Sequence, residues 1–157
     1  YGSYAWYAIN FDADENKFSN HNQARESRDL IAVFIDELVA NFPIDSNKVT
    51  IVGFSQGAIL SYAVALSYPE KIERVAAMSG YLNTEILKDD FLKNSFSKLD
   101  IFSSHGTVDQ VIPVEWARKA KPILEHLGIK CVYKEYPIGH GVSPQNFYDF
   151  KNWLLEK

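Results

Sequence analysis

With 157 residues, a formal net charge of -4 and 46% hydrophobic side chains, the chain suits one globular domain with a sizeable core, and no membrane span is visible. Lys and Arg are scattered and outnumbered by Asp and Glu, which leaves no phosphate-tracking groove and argues against a nucleic-acid partner. The single cysteine, Cys131, sits in the apolar run Ile129 to Tyr133 and reads as a core residue, so internal disulfides are excluded; His21, His105, His126 and His140 lack paired ligand spacing, so no metal site is expected.

Tyr1 to Ile9 is short and aromatic, and the polar stretch Asn10 to Asn22 reads as a loop. From Ala24 to Phe42 apolar residues recur at Leu30/Ile31, Phe34/Ile35, Leu38/Val39 and Phe42. That spacing predicts a helix with one buried face and with Arg25, Arg28, Asp36 and Glu37 on its solvated side. Pro43 ends this helix, and Asp45-Ser46-Asn47 turns the chain into a β-branched run, Val49 to Val52.

Next comes Gly53-Phe54-Ser55-Gln56-Gly57, a G-x-S-x-G turn, and then the apolar helical stretch Ala58 to Leu66. Strand, sharp turn and helix would hold the Ser55 hydroxyl above a sheet. Side chains at either glycine are expected to collide with the neighbouring strand and helix.

Tyr68-Pro69-Glu70 breaks the pattern before a second strand, Ile72 to Ser79, which ends at Gly80. Asn83 to Lys98 is charged and weakly helical, either a cover over the site or a plain surface connection. Leu99 to Ser104 reads as a third strand running into His105-Gly106-Thr107-Val108-Asp109. Pro113 opens a helix from Val114 to Leu127, which Pro122 should kink or split. Gly128 caps it, Ile129 to Tyr136 is a fourth strand, and His140 lies in the loop that follows. Ser143-Pro144 predicts the cap and first turn of a last helix with Phe147, Phe150, Trp153 and Leu154 on its apolar face.

Alternating strands and helices predict an α/β domain with a parallel sheet and right-handed crossovers. In such sheets functional groups collect at the carboxyl ends of the strands, and Ser55, Asp109 and His140 each follow a predicted strand. Serine needs a base to take its proton and a carboxylate to orient that base. For this turn type the order is serine, acid, histidine, which Asp109 and His140 satisfy. His105 reads as a packing or hydrogen-bonding residue, and His126 sits near a helix end. Asp100 falls within a strand and Asp89 and Asp90 within the charged connector, so they rank below Asp109.

On these residues the chain resembles the phospholipase/carboxylesterase family of α/β-hydrolases, which includes the acyl-protein thioesterases. Gly53-Phe-Ser-Gln-Gly-Ala is similar to the family's G-F-S-Q-G elbow, His105-Gly-Thr-Val-Asp-Gln-Val-Ile-Pro to its acid loop, Tyr136-Pro-Ile-Gly-His-Gly to its histidine loop, and Tyr4-Ala-Trp-Tyr to a segment beside its active site. The resemblance implies an α/β-hydrolase fold with helices on both faces of the sheet. It implies Ser55 as nucleophile, His140 as general base and acid, Asp109 as orienting carboxylate and the Gln56 N–H as one oxyanion donor. Trp6, Tyr81, Leu82 and Ile112 would border an acyl pocket. The implied substrate is a small-molecule or lipid acyl ester or thioester, with no cofactor; a cytoplasmic setting is a separate expectation that the resemblance does not carry. Feruloyl or xylan esterases, peptidases and a catalytically silent binding module of the same fold are the alternatives.

The family's leading strands, and the loop carrying its second oxyanion donor, should come before Tyr1 and are absent from the sequence. Residues 1–157 therefore read as the C-terminal part of a single hydrolase domain, completed by further chain or by a separate N-terminal fragment. The elbow strand would otherwise be left at an open edge. A homodimer is a further assembly to test, and a targeting segment ahead of Tyr1 would be invisible.

Overall fold

Four short runs lie side by side in the computed structural model, which describes residues 4–10 and 14–156. Residues 1–3 of the aromatic start, 11–13 of the polar loop and Lys157 lie outside the described residues. The strands are β1 (Thr50–Phe54), β2 (Arg74–Met78), β3 (Asp100–Gly106) and β4 (Lys130–Tyr136), in spatial order β1-β2-β3-β4 and parallel throughout. Parallel neighbours need a crossover each, and that places every strand's carboxyl end on the same side.

Ahead of the sheet stand α1 (Glu15–Phe18), a short turn inside the stretch expected to be all loop, and α2 (His21–Asn41). Helix α3 (Gln56–Ser67) joins β1 to β2, α4 (Val114–Arg118) and α5 (Ala120–His126) join β3 to β4, and α6 (Pro144–Leu155) closes the described chain. The predicted long helix is split. Pro122 has no N–H to offer the Arg118 carbonyl four residues back, and its ring crowds that group, so α4 ends at Arg118.

Both faces of the sheet carry helices. From Ala58 to Ser67 every residue of α3 is buried, as in an apolar helix wedged between sheet and α2. On the opposite face Ala76, Met78 and Phe102 pack against Phe150 and Trp153 of α6. Phe147, expected on that apolar face, is exposed instead. The Ser143 hydroxyl accepts from Asn146 N–H at 3.1 Å and caps α6 as anticipated. At its other end Arg74 of β2 donates to the Trp153 and Leu154 carbonyls and lies 3.9 Å over the Trp153 ring, so a cation meets the negative end of the helix.

Two expectations for α2 are corrected. The buried stripe is Ala24, Arg28, Ala32 and Ile35, whereas Leu30, Phe34 and Phe42 are exposed. Arg28 is buried rather than solvated because its guanidinium finds oxygen partners, the Ile86 carbonyl at 2.7 Å and Asp29 at 2.7 Å. The segment 83–98 is neither a cover nor a plain surface connection. It forms two single 3₁₀ turns, Thr84–Ile86 and Phe91–Lys93, and inserts Ile86, Leu87 and Phe96 into the core.

Candidate active site

The turn between β1 and α3 bends through Ser55, whose φ of 54° and ψ of -117° lie outside the regions an L-residue favours. Backbone bonds impose the bend: Ser55 N–H donates to Met78 O at 2.9 Å, and Ser55 O accepts from Ala58 and Ile59 N–H. A Cβ at Gly53 would fall 2.2 Å from Gly57 O and 2.5 Å from Ser61 Oγ, so glycine is required there. At Gly57 the expected collision is absent, because a Cβ would meet nothing within 4 Å.

From this turn Ser55 Oγ lies 2.9 Å from His140 Nε2, and His140 Nδ1 lies 2.8 Å from Asp109 Oδ2. A carboxylate oxygen accepts, so the geometry suits Nδ1–H donating to Asp109 and Nε2 accepting from the serine hydroxyl. The three residues come from loops after β1, β3 and β4, which bring together groups 85 and 31 residues apart in the chain. Phe54 sets its ring 5.0 Å from the imidazole, centroid to centroid, an aromatic wall with no signal in the sequence motif.

Asp109 has no solvent-exposed side-chain surface. Its Oδ1 accepts from Val111 N–H at 2.8 Å and Ile112 N–H at 2.9 Å, while Oδ2 faces His140 and, at 3.3 Å, His105 Nε2. His105 is fully buried and donates from Nε2 to Ile112 O at 2.8 Å, consistent with its expected hydrogen-bonding role. Burial pushes the Cys131 thiol up to about 12, which leaves it un-ionised near neutral pH and unfit as a rival nucleophile.

Gln56 does more than sequence reasoning assigned to it. Its backbone N–H opens α3 beside Ser55, and its side chain accepts from Trp6 N–H at 3.0 Å and donates to Tyr7 O at 2.6 Å. Ser27 adds a bond to Trp6 O, and Gln23 accepts from Ala8 N–H at 2.8 Å. Trp6 is thus fastened at the site, half exposed, on the wall of a groove of about 500 Å³ that also includes Ile31, Phe34, Val52, Phe54 and Ser55. Tyr81, Leu82 and Ile112 were expected to border a pocket. All three instead belong to the buried core, Tyr81 stacked edge-on against Phe18 and Trp116. Among the described residues no group of three His, Cys, Asp or Glu side chains is placed to hold a metal ion, and no helix is long and apolar enough to cross a membrane.

A parallel sheet flanked by helices, with a serine on a strained strand-to-helix turn, defines an α/β hydrolase. The chain belongs to the phospholipase/carboxylesterase family, whose model matches residues 1–156. It is 31% identical over 150 residues to a rice (Oryza sativa subsp. japonica) protein named probable carboxylesterase, covering 92% of this chain and 56% of the relative. It is 32% identical over 154 residues to carboxylesterase SOBER1 of Arabidopsis thaliana, covering 94% and 67%. With acyl-protein thioesterase 1 of Candida albicans it shares 33% over 130 residues, covering 79% and 56%. The crystal structure of Arabidopsis SOBER1 superposes with a TM-score of 0.81 at 25% identity, over 96% of this chain and 72% of that one. The chain thus spans little more than half the length of the rice and Candida relatives.

Proposed function

We propose that this protein is a serine hydrolase that cleaves carboxylic esters or thioesters through an acyl-enzyme on Ser55. The observation that carries the reading is the unbroken pair of hydrogen bonds from Ser55 Oγ to His140 Nε2, at 2.9 Å, and from His140 Nδ1 to Asp109 Oδ2, at 2.8 Å. His140 takes the serine proton as Oγ attacks the acyl carbon, and Asp109 stabilises the imidazolium that forms. The oxyanion receives the Gln56 N–H at the positive end of α3. His140 then protonates the departing alkoxide or thiolate. Water activated by the same imidazole attacks the acyl carbon, releases the acid and returns the proton to Ser55.

A single oxyanion donor is an incomplete set, and loss of one donor typically removes about 3–4 kcal/mol of transition-state stabilisation. In this reading residues 1–157 act as the C-terminal part of a larger hydrolase domain, and a further piece of that domain supplies the second donor and pairs along the outer edge of β1. The greater length of the relatives and the lack, among the described residues, of a strand beyond β1 in the sheet support it. The substrate class is a small-molecule or lipid acyl ester or thioester, in keeping with relatives named carboxylesterase and acyl-protein thioesterase. Trp6, half exposed beside Ser55, is the substrate-contacting residue of this reading.

Labelling of the folded protein by a fluorophosphonate, with Ser55→Ala as control, tests the nucleophile. Label that disappears in the control is expected; a folded protein that takes no label, alone or with the piece that completes its sheet, overturns the reading in favour of a silent binding module. A series of p-nitrophenyl esters and acyl thioesters, set beside feruloyl and acetyl-xylan substrates, then separates the acyl classes.

A further inference from the structure

Among the described residues two non-glycine positions have positive φ, Ser55 and Ser79, each at 54°. They stand side by side. Phe54 of β1 is in register with Met78 of β2, and each serine is the next residue along its strand. The ladder continues through both, Ser55 N–H donating to Met78 O and Ser79 N–H to Ser104 O, each at 2.9 Å. Strained backbone at a non-glycine residue persists where the surroundings over-determine it, and such residues gather at functional sites. For Ser55 the reason is the elbow; Ser79 takes no part in the chemistry above.

Ser79 is completely buried, and its Oγ–H donates to Gly141 O at 3.1 Å. Gly141 follows His140 directly. On the other side of His140 the Ile138 carbonyl accepts from Val108 N–H at 3.2 Å, so the loop is held at one point before the imidazole and one after it. The residue after Ser79 touches the elbow: a Cβ at Gly80 would lie 2.6 Å from Ala58 Cβ and 3.0 Å from Ser55 O. One two-residue turn therefore meets the nucleophile's turn through its backbone and the histidine's loop through a hydroxyl. Glycine would relax the positive φ at position 79 but could not hold the Gly141 carbonyl.

We propose that Ser79 is a positioning residue: from its strained turn at the end of β2 it holds the Gly141 carbonyl and so sets the distance and angle between His140 and Ser55. The inference rests on the serine-hydrolase reading for its catalytic meaning and on geometry alone for its structural one. The two can fail separately.

Ser79→Ala keeps the strain and loses the hydroxyl, whereas Ser79→Gly loses both. In proton NMR of the protein, the downfield signal of His140 Nδ1–H bonded to Asp109 should broaden or move in both variants while circular dichroism stays native. With p-nitrophenyl acetate both should lower kcat about tenfold with KM nearly unchanged, as small misplacements of a catalytic group do. If Ser79→Ala does not fold, Ser79→Gly, which is free of strain, decides. An unmoved His140 signal with native kcat in Ser79→Gly overturns the proposal, as does a defect in Ser79→Ala that Ser79→Gly restores, since strain and not the hydroxyl would then be responsible. If the unsubstituted protein takes no fluorophosphonate, alone or with the piece that completes its sheet, the hydrolase reading fails, and the His140 signal still decides the role of Ser79.

Discussion

The carboxyl end of the sheet and its outer flank are built from the same strand and treated differently. Around Ser55, β1 ends in a turn where the polar atoms the chemistry needs are spoken for: Asp109 is approached by two backbone N–H groups and two imidazoles. Along the flank, β1 has a strand on one side only among the described residues. There Val52 and Phe54 join Trp6, Leu30, Val33 and Phe34 as exposed apolar side chains. The site's geometry is thus fixed by bonds between strand ends and loops, none of which requires the flank to be covered.

The largest effects should come from the bonded end. Ser55→Ala and His140→Ala are each expected to lower kcat about 10⁶-fold, and Asp109→Asn about 10⁴-fold through the wrong histidine tautomer, in assays with a p-nitrophenyl ester. Equal small losses in all three would break the picture of a coupled triad. Next in size is the contrast between the two elbow glycines. Gly53→Ala forces a Cβ against backbone and Ser61 and should destabilise by about 1–3 kcal/mol or more in urea titration, whereas Gly57→Ala, facing open space, should change stability by less than about 1 kcal/mol.

A smaller effect concerns acid. The Tyr136 hydroxyl and then Lys134 hold the Asp149 carboxyl below its ordinary range, and the Arg118 guanidinium does the same for Glu135. A carboxylate with a lowered folded pKa stabilises above its unfolded value and loses that contribution as pH falls through the folded one. The melting temperature of Asp149→Asn should therefore lie below that of the unsubstituted protein at pH 7 and converge with it as the pH drops below 4. A gap that persists in acid would assign Asp149 a packing role instead. The smallest effect belongs to the flank: Phe34→Ser should alter stability by no more than about 0.5 kcal/mol if that face meets water. A loss of 2 kcal/mol or so in urea, as for a buried phenylalanine, would show the face covered.

The strands and the grouping of Ser55, Asp109 and His140 were legible because each lies where local chemistry is strong. β-branched runs make strands, glycine and serine make the elbow, and alternating elements send all loop ends to one side. The choice between stripes on α2 was not legible, since Leu30 and Phe34 are as apolar as Ala32 and Ile35. What decides is which stripe meets α3 and the Thr84–Ile86 turn, contacts made by residues distant in sequence. Arg28 was misplaced for the same reason, its partner being a carbonyl 58 residues away. Tyr81, Leu82 and Ile112 are apolar residues near strand ends, and nothing local tells a core wall from a pocket wall. The Gln56 side chain and the strain at Ser79 leave no sequence signature, because each acts through backbone groups that a one-dimensional pattern does not display.

Strand β2 grips the final stretch of the chain at two places: Arg74 at its start holds the closing carbonyls of α6, and Ser79 just past its end holds Gly141. Between those grips lie Val142, Ser143 and most of the last helix. A helix packed on the sheet through one face opens more readily than a central strand, and hydrogen exchange reports that order. Release of α6 would strip Phe150 and Trp153 from the sheet and Asp149 from Tyr136, and beyond the helix cap the Ser79 hydroxyl is the hold nearest to His140. His140 should accordingly part from Ser55 at a denaturant concentration where the β1–β2–β3 ladder is still protected, so that the site comes apart before the sheet does.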